Sequence, residues 1–241
     1  MKQYKRLLAM GDIHGQYELM CEVLDKAKYN PEEDKLVLLG DYIDRGRDSK
    51  LVVDKVRELV KGGATALMGN HELMMIRAIK SKDDIFDTYI SEDYRLWAKG
   101  NGGNKTIKSF KNSLLEMRKA IRLFMNMPTY YEAEGFVFAH GAVNNKLQDG
   151  MYIPLVEQKQ EWFVWDRHVD NPKVRYNSKV VVVGHTPVQL INNNHSVCDP
   201  IIEYHAIYLD TGAVWSGENI AALTIMDVLT KEYWQACKLT K

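Results

Sequence analysis

Cysteine is scarce in this 241-residue chain: Cys21, Cys198 and Cys237 are the only three, odd in number and far apart. That spacing excludes a thiolate metal knuckle and a disulfide framework, and it suits a reducing compartment, so the expected location is the cytoplasm. Charge imbalance is also missing, with 32 Lys and Arg against 32 Asp and Glu. Without a basic surplus there is no footprint for nucleic acid or for an anionic membrane surface. Long apolar runs are absent too. The amino-terminal Leu7 to Met10 stretch is too short for a signal peptide or a membrane span. No Pro-rich or Gly/Ser-rich run marks a linker or a disordered tail.

What remains is a balanced composition, 46% hydrophobic and 27% charged, in a length that suits one α/β domain over residues 1–241. Leu7 to Met10 reads as a strand, and Tyr17, Met20, Leu24 and Ala27 follow at helical spacing. Leu36 to Leu39 repeats the strand, and Ser49 is a plausible cap for a helix carrying Val52, Val53, Val56, Leu59 and Val60 inward until Gly62-Gly63. Ala64 to Met68 and Glu72 to Lys80 make a third pair. Three β-loop-α units predict a largely parallel sheet. Residues 82–127 change character and read as a helical insertion beside the active rim, with one helical stretch from Thr106 to Met125. From Pro128 onward strand signals dominate: Thr129 to Glu132, Phe136 to Ala139, Val180 to Val183, Ile207 to Leu209, and Ile220 to Ile225 paired with Tyr233 to Cys237. The second half is therefore expected to supply a second sheet, giving a four-layer α/β/β/α sandwich.

Five short blocks carry the chemistry: Gly11-Asp12-Ile13-His14-Gly15, Gly40 to Gly46, Gly69-Asn70-His71-Glu72, His140-Gly141 and Gly184-His185-Thr186-Pro187. Taken singly, each has an ordinary explanation. A lone Asp-x-His between glycines is usually a solvated turn, and Gly-His-Thr-Pro is a turn sequence in its own right. Together, most following an apolar run, they deliver oxygen and nitrogen donors to one rim of a sheet. In an extended strand end, Asp12 and His14 share a face because alternate residues do. Asp12, His14, Asp41, Asn70, His140 and His185 supply the hard mixed ligands that a pair of divalent ions needs. The adjoining glycines allow close approach without a Cβ. Carboxylate and imidazole without thiolate favour Mn²⁺, with Fe or Zn²⁺ as options, over Ca²⁺ or Mg²⁺. His168, His195 and His205 have no such context and read as surface or structural histidines.

These blocks resemble the signature of the calcineurin-like metallophosphoesterases. Gly40 to Gly46 with Arg45, and Gly69-Asn70-His71-Glu72, resemble the phosphoprotein phosphatase family within it. Trp97 followed by Gly102-Gly103-Asn104-Lys105-Thr106, and Leu209-Asp210-Thr211-Gly212-Ala213-Val214, are most similar to its bacterial and phage branch of lambda-phosphatase-like and symmetrical diadenosine tetraphosphatase-like enzymes. The resemblance implies Asp12 and His14 on one metal, Asp41 bridging, and Asn70, His140 and His185 on the other, with in-line attack on phosphorus by a bridging water or hydroxide. It also implies His71 as general acid oriented by Asp44, and Arg45, Asn70 and Arg167 toward the substrate phosphate. The eukaryotic carboxy-terminal loop motif is replaced by Asp210-Thr211-Gly212, so eukaryotic regulatory subunits are not implied. The expected activity is a serine/threonine protein phosphatase. The alternative with the same ions is a dinucleoside polyphosphate hydrolase, for which Tyr89, Tyr94, Trp97, Trp162 or Trp165 would stack a base, unless these aromatics simply belong to the core. An alternative of another class is a catalytically silent phosphate-binding module, although no ligand or acid is missing.

Overall fold

In a computed structural model, residues 4–80, 91–167, 176–215 and 221–237 are described. Three β-loop-α units open the chain: β1 (Arg6–Met10), α1 (Tyr17–Lys26), β2 (Asp34–Leu38), α2 (Ser49–Lys61), β3 (Thr65–Ala66) and α3 (Asn70–Lys80). Strand β2 pairs in parallel with both β1 and β3. The helical segment contains α4 (Glu92–Tyr94), a π-helical turn (Arg95–Gly100), α5 (Gly103–Ser109) and α6 (Leu114–Phe124). Residues 82–90 of the expected insertion, with Tyr89, lie outside the described residues, as do His168 and Ile220.

The expected single helix from Thr106 to Met125 is two helices. Lys111 and Asn112 adopt left-handed φ of 52° and 57°, which ends α5, and the Ser113 side chain then caps α6 by accepting from Glu116 N. Ser49 likewise is not a cap: Asp48 holds that position, and the Ser49 hydroxyl turns inward to accept from Asp44 N.

The second half continues with β4 (Tyr130–Ala133), β5 (Phe136–Ala139), a small hairpin of β6 (Leu147–Gln148) and β7 (Met151–Tyr152), a 3₁₀ turn (Leu155–Glu157) and α7 (Gln160–Trp165). It closes with β8 (Val180–Val183), α8 (Val188–Ile191), β9 (Ile201–Ile202), β10 (Ala206–Tyr208), β11 (Ala222–Asp227) and β12 (Tyr233–Cys237). One sheet runs β4-β5-β8-β10-β9, and the other β12-β11-β1-β2-β3. The expectation that every late strand belongs to a second sheet is thus corrected for β11 and β12. The fully buried β11 pairs antiparallel with β1, where it satisfies the backbone of a strand that would otherwise be an edge. The first sheet is mixed rather than parallel throughout.

Alternation places the two faces of each strand in different layers. Leu7, Ala9, Val37 and Leu39 meet Phe136, Phe138, Val182 and Ile207 in the core between the sheets. Leu8, Met10, Leu36 and Leu38 join Leu19, Met20, Val23, Val53 and Val56 of α1 and α2 on the outside. On the far side α7 covers the second sheet, with the Phe163 ring stacked on Tyr130 at 5.1 Å. The layers are α/β/β/α, as the sequence predicts. No helix among the described residues is long and apolar enough to cross a membrane.

Candidate functional site

Strands β1, β2 and β3 are parallel to one another, as are β5, β8 and β10. Their carboxyl ends therefore form two facing rims, the usual address of a site in parallel sheets. Asp12, Asp41 and Asn70 follow the first three, and His140 and His185 follow β5 and β8. All six expected ligands are buried, His140 completely and His185 to 8% exposure. Packing is close enough that a Cβ on Gly69 would lie 2.3 Å from Asp41 Oδ1, and one on Gly184 would lie 2.2 Å from Asp12 Oδ1. Site residues His14, Asp41, Asp44, Arg45 and His185 all take left-handed φ between 47° and 72°. Such backbone costs roughly 1–3 kcal/mol per residue and persists where the surroundings impose it.

Two groups of donor atoms converge within 4.8 Å: His14, Asp41 and His71, and Asp41, His140 and His185. Asp41 belongs to both. The first group differs from the expected set, because His71 stands where Asp12 was expected. The Asp12 carboxylate instead accepts from His185 N at 3.0 and 3.2 Å and lies 3.9 Å from His140 Nδ1.

Burial favours the neutral form of His14, His140 and His185. It lowers the pKa of His14 and His140, and brings His185 down to about 3. His140 Nδ1–H donates to Leu39 O at 3.0 Å, so its Nε2 presents a lone pair. That lone pair faces an acceptor, Asn70 Oδ1, at 2.9 Å, and His185 Nδ1 lies 3.0 Å from the same oxygen. Separations near 3 Å are those of neighbouring ligands around an ion with bonds of about 2.1 Å. His14 Nδ1–H similarly donates to Ile43 O at 2.9 Å, leaving Nε2 3.5 Å from Asp41 Oδ2.

The carboxylates point the same way. Burial pushes Asp12 well up, and the neighbouring Asp210 and Asp41 charges add to it; burial raises Asp210 to about 6. Burial also works against ionisation of Asp41, yet the four histidines around it hold its carboxyl below the usual range. Crowded buried carboxylates beside neutral imidazoles are a donor set that a divalent cation fits. Asp210 was not singled out from the sequence as a site residue. Its signal was present: a carboxylate two residues past the end of a strand, as Asp12 is, with Gly212 two residues on.

Glu72 was missed as well. Its Oε1 accepts from Tyr42 N at 2.9 Å and Ile43 N at 3.3 Å, and its Oε2 from Asp41 N at 2.9 Å and Gly69 N at 3.1 Å. One fully buried carboxylate thus ties the Asp41 loop to the start of α3. Glu72→Ala is expected to lower stability by about 3 kcal/mol or more, since buried unpaired donors cost roughly 1–3 kcal/mol each. Denaturant unfolding checks this, and a loss under 1 kcal/mol would mean that the loop is held by other contacts.

His71 donates from Nδ1 to Asp44 Oδ2 at 2.7 Å, and its buried Nε2 has no hydrogen-bond partner among the described residues. Arg45 Nη1 lies 3.0 Å from His14 Nε2, and Arg167 Nη1 donates to Thr186 Oγ1 at 2.7 Å. Both arginines line a cavity of about 500 Å³ with Lys105, His185, Leu190 and Trp215. His195 stacks on Trp215 at 5.5 Å. Of the expected stacking residues, Trp97 is fully buried with Tyr94 edge-on to it, while Trp162 and Trp165 line a separate hollow.

Residues 5–214 match the model of the calcineurin-like phosphoesterase family. The chain is 25% identical over 230 residues to serine/threonine-protein phosphatase 1 of Salmonella typhimurium, covering 90% of this chain and 91% of that one. It is 26% identical over 238 residues to the asymmetrical bis(5'-nucleosyl)-tetraphosphatase PrpE of Bacillus cereus, covering 87% and 86%. A crystal structure of a cold-active protein tyrosine phosphatase superposes with a TM-score of 0.60 at 17% identity, covering 94% of this chain and 76% of that one, a likeness of fold.

Proposed function

The chain belongs to the calcineurin-like phosphoesterase family, and from that membership we propose that it is a two-metal phosphatase acting on phosphoserine and phosphothreonine in proteins. The observation that carries the reading is the convergence of His14, Asp41 and His71 on one position and of Asp41, His140 and His185 on another, with Asp41 shared between them. The residues that would hold the ions are Asp12, His14 and Asp41 on one side and Asp41, Asn70, His140 and His185 on the other; ions there would acidify a shared water and take up charge on the phosphoryl oxygens.

The chain's own groups do the rest. Arg45 and Arg167, lining one cavity with His185, offer planar guanidinium groups that match phosphate geometry, and Asn70, whose Oδ1 lies 3.0 Å from His185 Nδ1, would join them at the phosphate. Asp44 steadies the His71 imidazolium through Nδ1, and Nε2 hands its proton to the leaving alkoxide. Manganese is our choice of metal, because the donor set is carboxylate, amide and imidazole without thiolate. We treat residues 1–241 as one domain, since β1 near the start pairs with β11 near the end. The three free cysteines support a cytoplasmic location.

One observation favours a second reading, hydrolysis of dinucleoside polyphosphates. Lys105 and Trp215 share the cavity with Arg45 and Arg167, supplying a further cation for a second phosphate and an aromatic face for a base. The tetraphosphatase relative carries the asymmetrical designation, whereas the sequence motifs resemble the symmetrical enzymes. The test is a comparison of kcat/KM on a phosphothreonine peptide and on diadenosine tetraphosphate, after chelation and after Mn²⁺ resupply. Peptide preference is expected, with activity lost on chelation and restored by Mn²⁺. Dinucleotide preference would transfer the function to the second reading, and activity that survives chelation would overturn both.

A further inference from the structure

Asp44 is fully buried, as are Ser49, Trp97 and Thr106 around it. Trp97 Nε1–H donates to its carboxylate at 2.9 and 3.1 Å, and Thr106 Oγ1 donates to Oδ1 at 2.6 Å. The same threonine oxygen accepts from Asp44 N at 2.9 Å. It lies 3.0 Å from Ser49 Oγ, which must then be the donor, because the only threonine hydroxyl proton is spent on Asp44. Indole is a donor only. Among the described residues every side-chain partner of this carboxylate, His71, Trp97 and Thr106, therefore supplies a proton, and none accepts one.

From this network we infer that Trp97 and Thr106 are positioning residues for leaving-group protonation: they fix Asp44 as an acceptor-only carboxylate that orients His71. With Asp44 so held, the His71 proton on Nδ1 points to Asp44 Oδ2, and Nε2 faces Asp41 Oδ2 at 3.8 Å across the site. Both residues come from the helical segment rather than from the ligand loops. Trp97 sits in the π-helical turn, a distortion frequent at functional sites. Gly103 leaves room for its indole, since a Cβ there would lie 2.6 Å from Trp97 Cε2. The segment is thereby locked to the dyad it orients.

The inference rests on the phosphoesterase reading with His71 as the acid, and leaving-group dependence separates the two. Trp97→Phe keeps an aromatic ring but deletes the pyrrole half of the indole with its N–H donor; Thr106→Val deletes the hydroxyl at nearly constant volume, and Thr106→Ser restores it. Each is assayed as the full chain with Mn²⁺ on a phosphothreonine peptide, whose alkoxide needs a proton to leave, and on p-nitrophenyl phosphate, whose phenolate does not. Trp97→Phe and Thr106→Val are expected to lose about 10–100-fold in kcat on the peptide, the scale of an Å-level misplacement. On the aryl ester the loss should be under about threefold, with bound metal unchanged and the peptide rate regained in Thr106→Ser. Equal losses on both substrates would reduce the pair to a structural role and overturn the inference. So would unchanged peptide rates, while a selective loss in a parallel His71→Asn variant left the acid reading intact. If His71→Asn itself shows no leaving-group selectivity, the acid reading fails and this inference falls with it.

Discussion

Asp41→Asn is expected to empty both ion positions in part and to lower kcat by about 10³-fold or more, because charge stabilisation of several kcal/mol is lost from the transition state. The substitution is nearly isosteric, so steric damage does not confuse the result. Asp41 Oδ1 accepts from His71 N at 3.0 Å and lies 3.4 Å from His140 Nε2, while Oδ2 lies 3.5 Å from His14 Nε2. An amide keeps one acceptor and turns an N–H toward the other group, so one of the two positions loses its anionic donor and the shared negative charge disappears. Metal content by elemental analysis, beside the rate on a phosphopeptide, checks this. Two tightly bound ions with activity within tenfold of the parent would remove Asp41 from the bridging role.

His71→Asn should leave both ions bound and still cost roughly 10²–10⁴ in turnover, the usual worth of general acid–base catalysis. An asparagine side chain at 71 can still reach toward Asp44, so the fully buried carboxylate keeps its Trp97 and Thr106 donors and the local fold survives. What disappears is the proton on Nε2. The metal analysis matters here because His71 also forms a tight group with His14 and Asp41. Loss of one ion in the variant would place His71 among the ligands and return leaving-group protonation to another group.

The late hairpin shows most clearly where local patterning stops being informative. Ile220 to Ile225 and Tyr233 to Cys237 read as a paired set of strands, and the structure pairs Ala222–Asp227 with Tyr233–Cys237. Which sheet they join was decided by β1, a strand more than 200 positions earlier with an unpaired side. No nearby residue encodes that choice, since backbone donors are alike along any strand. Residues 106–125 fail for the opposite reason, a strictly local one: apolar periodicity runs through a break made by Lys111 and Asn112, whose left-handed φ values leave no mark on the pattern. Trp97 was open between stacking platform and core, and its complete burial with the indole N–H on Asp44 makes it neither simple filler nor base platform.

The sequence by itself determined which side-chain types reach the strand ends: carboxylate, amide and imidazole, with no thiolate. Asp12, His14, Asp41, Asn70, His140 and His185 each stand one to four residues past the end of a strand and next to a glycine, so strand order and turn chemistry bring them to the rims. Only the tertiary structure decided what holds those donors in place. Glu72 gathering four backbone N–H groups, His185 N donating to Asp12, and Trp97 and Thr106 closing on Asp44 are all answers to buried polar groups that cannot be left unpaired. Which partner answers each one depends on what lies within 3 Å after folding, a proximity that spacing along the chain does not contain.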